Sequence, residues 1–227
     1  MKVGILLSGC GVYDGSEIQE TIAAMIALEE KGIEYVGISI DKNQYHVINH
    51  LDGSEMHETR NMMIESARIM RGNVVNIQTI SPAEIDGLVI PGGFGNAKNL
   101  SNWAFQGSES EIIPEVKLLL VNLINVGKPI VALCVSPILL SLALKDSRFS
   151  PTLSLGTSKE KSPYDISAFH NGVDKNGGKS IETGINEISI DTDNKIICAP
   201  CYMQDASLLE IKNNARMAID KLIEFID

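Results

Sequence analysis

No apolar run approaches the ~20 residues needed to cross a bilayer, and the N-terminus enters the strand-like Val3-Gly4-Ile5-Leu6-Leu7 without a signal-peptide cleavage pattern. The expectation is a cytoplasmic protein. No linker rich in Pro, Gly or Ser divides the 227 residues, and no internal repeat or low-complexity segment interrupts them. A chain of this length can bury one substantial core, so a single domain over residues 1–227 is expected. Positive charge is scarce: 19 Lys and Arg face 29 Asp and Glu, a net charge of −10, with no basic stripe. That excludes broad electrostatic attraction to nucleic acid or to anionic membranes, but not a small substrate held in a local pocket. Cysteine is scarce too, and Cys10, Cys134, Cys198 and Cys201 are too dispersed for a disulfide framework. Their chemistry, if any, is thiol chemistry.

What is present alternates between strand and helix. After the first strand and Ser8-Gly9-Cys10-Gly11, Ser16 and Gln19 form a candidate capping box ahead of Ile18, Ile22, Met25 and Ile26 at helical spacing. Strands are read at Tyr35–Ile40, Val74–Ile77 and Gly87–Ile90, with a helix at Thr59–Met70 and another at Glu111–Val126. Pro129–Leu133 is a continuous apolar run suited to a buried parallel strand, and Pro137 opens a helix behind it. Residues 158–178 read as an exposed insertion or lid, residues 188–197 as a hairpin, and Leu208, Ile211, Ala215, Ile219, Leu222 and Ile226 as one face of a last helix. This pattern implies a mostly parallel sheet with helices on both faces, whose ligands bind beyond the carboxyl ends of the strands. The loops at Ser8, Pro91 and Cys134 should meet there.

Cys134 ends its strand with small neighbours two positions away on either side, Ala132 and Ser136, as a nucleophile on a sharp strand-to-helix turn requires. The helix behind it should favour the thiolate and lower its pKa. Glu20, in the first turn of the first helix and flanked by Ala24 and Ala27, can lean back toward the sulfur; Glu17 competes for that place. A carboxyl meeting Cys134 in a dry pocket would be held protonated, ready to relay a proton. Pro91-Gly92-Gly93-Phe94-Gly95 can offer backbone N–H groups to an oxyanion, with Gly93 the candidate donor. Lys98 is followed by Asn99, which rules out a phosphate loop, and Gly9-Cys10-Gly11 lacks the third glycine of a dinucleotide fingerprint. Cys10 can border the same mouth. His46, His50 and His57 fit no familiar zinc spacing; His50 reads better as a pocket residue, and His170 as exposed. Cys198 and Cys201 read as core or hairpin residues.

Long strings then resemble one family. Leu7 to Ile18, Val47-Ile48-Asn49-His50-Leu51, Glu58-Thr59-Arg60-Asn61, Pro91 to Asn102, Asp193-Asn194-Lys195-Ile196 and Ala199-Pro200 look like the ElbB family, known as isoprenoid biosynthesis glyoxalase or enhancing lycopene biosynthesis protein. The resemblance implies a flavodoxin-like three-layer sandwich of the class I glutamine amidotransferase-like superfamily, akin to PfpI, and a homodimer. It implies Cys134 as nucleophile and Glu20 as proton shuttle. Substrate contacts are then expected from Gly92, Gly93, Gly95, Val135, Lys98 and Asn99, with His50, Glu17 and Cys10 at the margin. The implied chemistry uses no cofactor and no metal: a thiolate adds to a small aldehyde or dicarbonyl and a hydroxy acid leaves after hydrolysis. Superfamily amidases pair their cysteine with a histidine, whereas here Val135 follows Cys134 and no histidine lies between it and Lys161. Amide hydrolysis therefore ranks below two alternatives, a glyoxalase and a non-enzymatic redox-sensing or partner-binding protein.

Overall fold

A strand buried on both faces must be apolar at every position rather than at alternate ones. Four segments meet that condition closely in the computed structural model, which describes residues 1–227. They are β1 (Lys2–Leu6), β4 (Gly87–Ile90), β5 (Ile130–Leu133) and β9 (Ile196–Ala199), and they form the centre of a seven-stranded sheet. Around them lie β2 (Glu34–Ser39), β3 (Val74–Asn76) and β8 (Ser189–Asp191), in the order β3-β2-β1-β4-β5-β9-β8. All neighbours are parallel except β8 and β9, the hairpin expected from residues 188–197. A separate two-stranded ribbon pairs β6 (Thr152–Leu153) with β7 (Lys179–Ser180).

The crossovers are helical. They comprise α1 (Ile18–Glu30), α2 (Met62–Ile69), the short α3 (Phe94–Lys98) and α4 (Trp103–Gln106), α5 (Pro114–Asn125), α6 (Pro137–Leu144), α7 (Ile166–Lys175) and α8 (Leu208–Ile226). α1 packs along α8, and α5 packs along α6, with the sheet between the two pairs. Helices thus flank a mostly parallel sheet, a flavodoxin-like α/β arrangement. Fifty-five buried apolar side chains form one continuous cluster, so the ends of the strands sit on a rigid platform.

Two local expectations change. Glu17, not Ser16, caps α1, accepting the Glu20 N–H at 2.6 Å. Ser16 Oγ instead accepts the Ser8 N–H at 2.9 Å inside the loop. The apolar series in α1 also faces outward, with Ile18, Ile22 and Ile26 about two-fifths exposed at 41%, 38% and 40%. The inward face carries Glu20, Ala23, Ala24, Ala27 and Leu28, because small residues let α1 lie close to α8. The segment read as an exposed insertion or lid contains α7, capped by Asp165 and anchored by buried Ile166 and Val173.

The three loops do meet. Phe94 N donates to Val12 O at 2.7 Å, Gly95 N to Gly15 O at 2.9 Å, and Glu17 N to Gly92 O at 2.9 Å. Asn99 closes the bundle: its Nδ2 donates to Ser8 O at 2.8 Å and Asp14 O at 2.7 Å, and its Oδ1 accepts the Tyr45 N–H at 2.9 Å. Asn99→Ala would leave two carbonyls and one amide without that partner. We expect a loss of about 2–4 kcal/mol in urea unfolding, and a larger loss for Asn99→Asp, whose acceptors would face two carbonyls.

Candidate active site

Cys134 sits where β5 turns into α6, with φ of 57°, a conformation non-glycine residues seldom adopt. The surrounding hydrogen bonds over-determine it. Cys134 N donates to Ala199 O at 2.9 Å, and Ser136 Oγ lies 2.8 Å from Ile90 O and 2.7 Å from Leu133 O. Only a small residue at position 136 can fold that hydroxyl back under the turn.

Glu20 reaches this turn from α1. It is fully buried, its Oε2 accepting the Gly92 N–H at 2.8 Å and its Oε1 the Tyr202 N–H at 3.2 Å. The Cys134 sulfur and the Glu20 carboxyl face each other over Gly92. Burial, reinforced by the neighbouring Glu17, pushes Glu20 up to about 8. Burial also raises Glu17, against the pull of the helix-start amides it caps. The expected thiolate is overturned: burial, together with the Glu20 charge, raises Cys134 well above its ordinary value, and the Val135 N–H opposes this only in part. A dry environment penalises the charged form more than one helix terminus favours it.

Glycine is required beside this pair. A Cβ on Gly92 would stand 2.6 Å from Glu20 Oε2 and 2.8 Å from Cys134 Sγ, in the space where thiol and carboxyl meet. Gly93 has φ of 103°, and a Cβ there would lie 2.6 Å from Glu17 N. The Gly92 N–H is committed to Glu20, while the Gly93 N–H donates to no protein group. The Val135 N–H likewise donates to no protein group.

Above the sulfur is a narrow, almost wholly apolar pocket lined by Val12, Gly93, Phe94, Cys134, Val135, Tyr164, Phe169, Tyr202 and Met203. It has about 20 Å³ of room for a solvent-sized molecule, enough for one water. Cys134 is 5% exposed at its floor. Phe169 comes from α7 and stacks on Trp103, their ring centroids 6.4 Å apart, and Tyr164 meets Phe94 edge-on at 6.0 Å. The insertion therefore roofs the site.

The sequence of the rat mitochondrial ES1 protein homolog is 35% identical over 227 residues, covering 98% of this chain and 83% of that protein. The chain belongs to the ES1 family. The human mitochondrial glutamine amidotransferase-like class 1 domain-containing protein 3 is 34% identical over 98% of this ES1-family chain and 82% of its own length. The crystal structure of an isoprenoid biosynthesis protein with an amidotransferase-like domain from Ehrlichia chaffeensis superposes with a TM-score of 0.90 at 32% identity, covering all of both chains. DJ-1 of Schizosaccharomyces pombe, 15% identical with a TM-score of 0.57 over 99% of this chain and 90% of its own, shares the fold. No protein-family model matches the chain. The ES1-family chain thus carries a class I glutamine amidotransferase-like domain. None of its helices is long and apolar enough to cross a membrane.

Of the residues singled out from sequence, Cys134, Glu20, Gly92, Gly93 and Val135 converge, with Glu17 behind Glu20. The others do not line the pocket. Gly95 packs directly on Gly15, and Asn99 is the loop clasp. Lys98 donates to Tyr13 O at 3.0 Å with its ammonium over the Phe94 ring. His50 accepts the Tyr13 N–H at 3.2 Å, and Cys10 lies in the field of Glu65, Arg68 and Asp14, its thiol raised chiefly by burial. His170 is half-buried rather than exposed. Sequence reasoning missed the aromatic roof and Tyr202; the only local signal was Asp165, a helix cap inside the segment read as unpatterned.

The raised acidity constant of Glu20 has a thermodynamic consequence. The unfolded carboxyl loses its proton near the ordinary 4.5, the folded one near about 8. Between those values the native state holds more protons, so stability is full below about 4.5 and falls as pH rises to about 8. Glu20→Gln removes this loss. The melting temperature of Glu20→Gln minus that of wild type should therefore increase steadily across that window and level off above it; a pH-independent difference would show that the carboxyl is not held protonated.

Proposed function

We propose that this protein is a cofactor-free glyoxalase-type enzyme that converts small dicarbonyls such as glyoxal to hydroxy acids. The DJ-1/PfpI superfamily includes glyoxalases and deglycases. The observation that carries the reading is the placement of Cys134 Sγ and a buried Glu20 carboxyl, pushed up to about 8, on opposite sides of Gly92. At that value a carboxyl exchanges protons readily in both directions around neutral pH.

In the proposed cycle ionised Glu20 takes the thiol proton as Cys134 Sγ bonds to the aldehyde carbon. The negative oxygen that forms lies toward the Gly93 and Val135 N–H groups, which have room for an acceptor. Glu20 hands the thiol proton to that oxygen, and the carboxylate so regenerated removes the C–H proton of the hemithioacetal carbon, giving an enediol, and returns it to the adjacent carbon. The product is a thioester of a hydroxy acid, which water cleaves to free the thiol. The net change is glyoxal plus water to glycolic acid, with no electrons exchanged with the surroundings. No histidine lines the pocket to protonate a leaving amine, and an aldehyde addition expels no leaving group, so the reading favours carbonyl chemistry over amide hydrolysis.

Metal-free protein should form glycolate from glyoxal, followed by chromatography. Cys134→Ala should fall to background, and Glu20→Gln by about 10²–10⁴-fold. Because the ionised carboxyl takes the first proton, kcat/KM should climb roughly tenfold per pH unit below about 8 and flatten above it. Undiminished turnover by Cys134→Ala would refute the proposal.

A further inference from the structure

The proposed cycle has no use for Cys201, yet this thiol is built into the same corner of the molecule. β5 and β9 are parallel neighbours with Leu133 opposite Ala199. Cys134 therefore follows the last register pair by one residue and Cys201 by two. Cys201 is bracketed by contacts to the Cys134 corner: Ala199 O, two residues before it, accepts the Cys134 N–H at 2.9 Å, and the Tyr202 N–H, next after it, donates at 3.2 Å to the Glu20 that faces Cys134.

Both cysteines leave the sheet with left-handed backbones, φ 57° at Cys134 and 43° at Cys201. The second turn is held from α8, where buried Asn214 accepts the Cys201 N–H at 3.0 Å and donates to Glu187 O at 2.8 Å. Access is unequal. Cys134 floors a pocket that admits a water-sized molecule, whereas Cys201 is completely buried behind it. The other two cysteines have different surroundings, Cys198 beside Ser154 and Asp191 and Cys10 near Glu65 and Arg68.

We propose that Cys134 and Cys201 form an intramolecular dithiol–disulfide couple, in which a small peroxide entering the pocket oxidises Cys134 and Cys201 resolves the product. In the first step the Cys134 sulfur attacks a peroxide oxygen, the O–O bond breaks, and hydrogen peroxide leaves one water while Cys134 becomes a sulfenic acid. In the second, the Cys201 sulfur displaces the sulfenic oxygen, which leaves as water with the Cys201 proton. Two thiols lose two electrons in all and one peroxide gains them. Glu20, which faces Cys134 over Gly92 and accepts the N–H of Tyr202 next to Cys201, is placed to pass the protons. Burial keeps Cys201 away from the oxidant itself, so the order of events is fixed by access. The couple requires no dicarbonyl turnover and stands apart from the glyoxalase reading.

The test treats full-length protein with one equivalent of hydrogen peroxide, then denatures, alkylates and weighs it. Wild type should lose two hydrogens, protect two of its four cysteines from alkylation, and recover on reduction with dithiothreitol. A cross-linked tryptic peptide should join Leu118–Lys145 to Ile196–Lys212, with fragmentation assigning the bond to Cys201 rather than Cys198. Cys198→Ser should behave as wild type, and Cys201→Ser should instead gain oxygen on Cys134 that dithiothreitol does not fully remove. Wild type that gains oxygen at Cys134 while Cys201 remains open to alkylation would overturn the proposal, as would a bond to Cys198 or Cys10 or an inert Cys134. The wild-type mass alone decides the matter if Cys201→Ser does not fold.

Discussion

A single carboxyl, buried without a counter-charge, organises the strand ends of this protein. Glu20 receives the amide of Gly92 from the β4 loop and the amide of Tyr202 from the turn after β9, and it faces Cys134 at the end of β5. Three segments that meet only in the folded chain thus converge on one side chain. An ionised carboxylate in such surroundings is costly, so the group retains its proton until about 8. The same burial raises the neighbouring thiol. Carboxyl and thiol are therefore both neutral near physiological pH, so in the proposed reaction the first step moves a proton between them rather than drawing on a preformed thiolate.

The backbone stores the rest of the geometry. Two adjacent strands end in non-glycine residues with positive φ, Cys134 and Cys201, and each turn is secured by buried polar contacts, through Ser136 in one case and Asn214 in the other. Strained conformations of this kind persist only where surrounding contacts outweigh their cost, about 1–3 kcal/mol each. Gly92 and Gly93 complete the arrangement by leaving room where any side chain would separate sulfur from carboxyl or displace the α1 entrance. The aromatic roof from Tyr164 and Phe169 then dries the pocket, which strengthens every electrostatic interaction inside it.

Much of this was written locally. The continuous apolar runs of β1, β4 and β5, the glycines after β4, the proline opening α6 and the small residues around Cys134 each specify short-range backbone geometry, and together they give the sheet, its direction and the loops that meet at its edge. Glu20 was legible because position in the first turn of a helix fixes which way a side chain leans. Less was legible where burial depends on partners. Ile18, Ile22 and Ile26 have the spacing of a core face, yet α8 takes the alanine side of α1 and turns them outward. His50, Lys98 and Asn99 have the chemistry of ligand-binding residues but are engaged in holding loops together.

The sequence by itself therefore determined the α/β architecture, the turn that carries Cys134 and the pair Glu17 and Glu20 as the carboxyls able to reach it, since each follows from residues close together along the chain. Only the tertiary structure decided the protonation of that pair, the aromatic roof drawn from 30 residues beyond Cys134, and the approach of Cys201 to the sulfur. These depend on desolvation and on contacts between distant segments, quantities that no local pattern of side chains encodes.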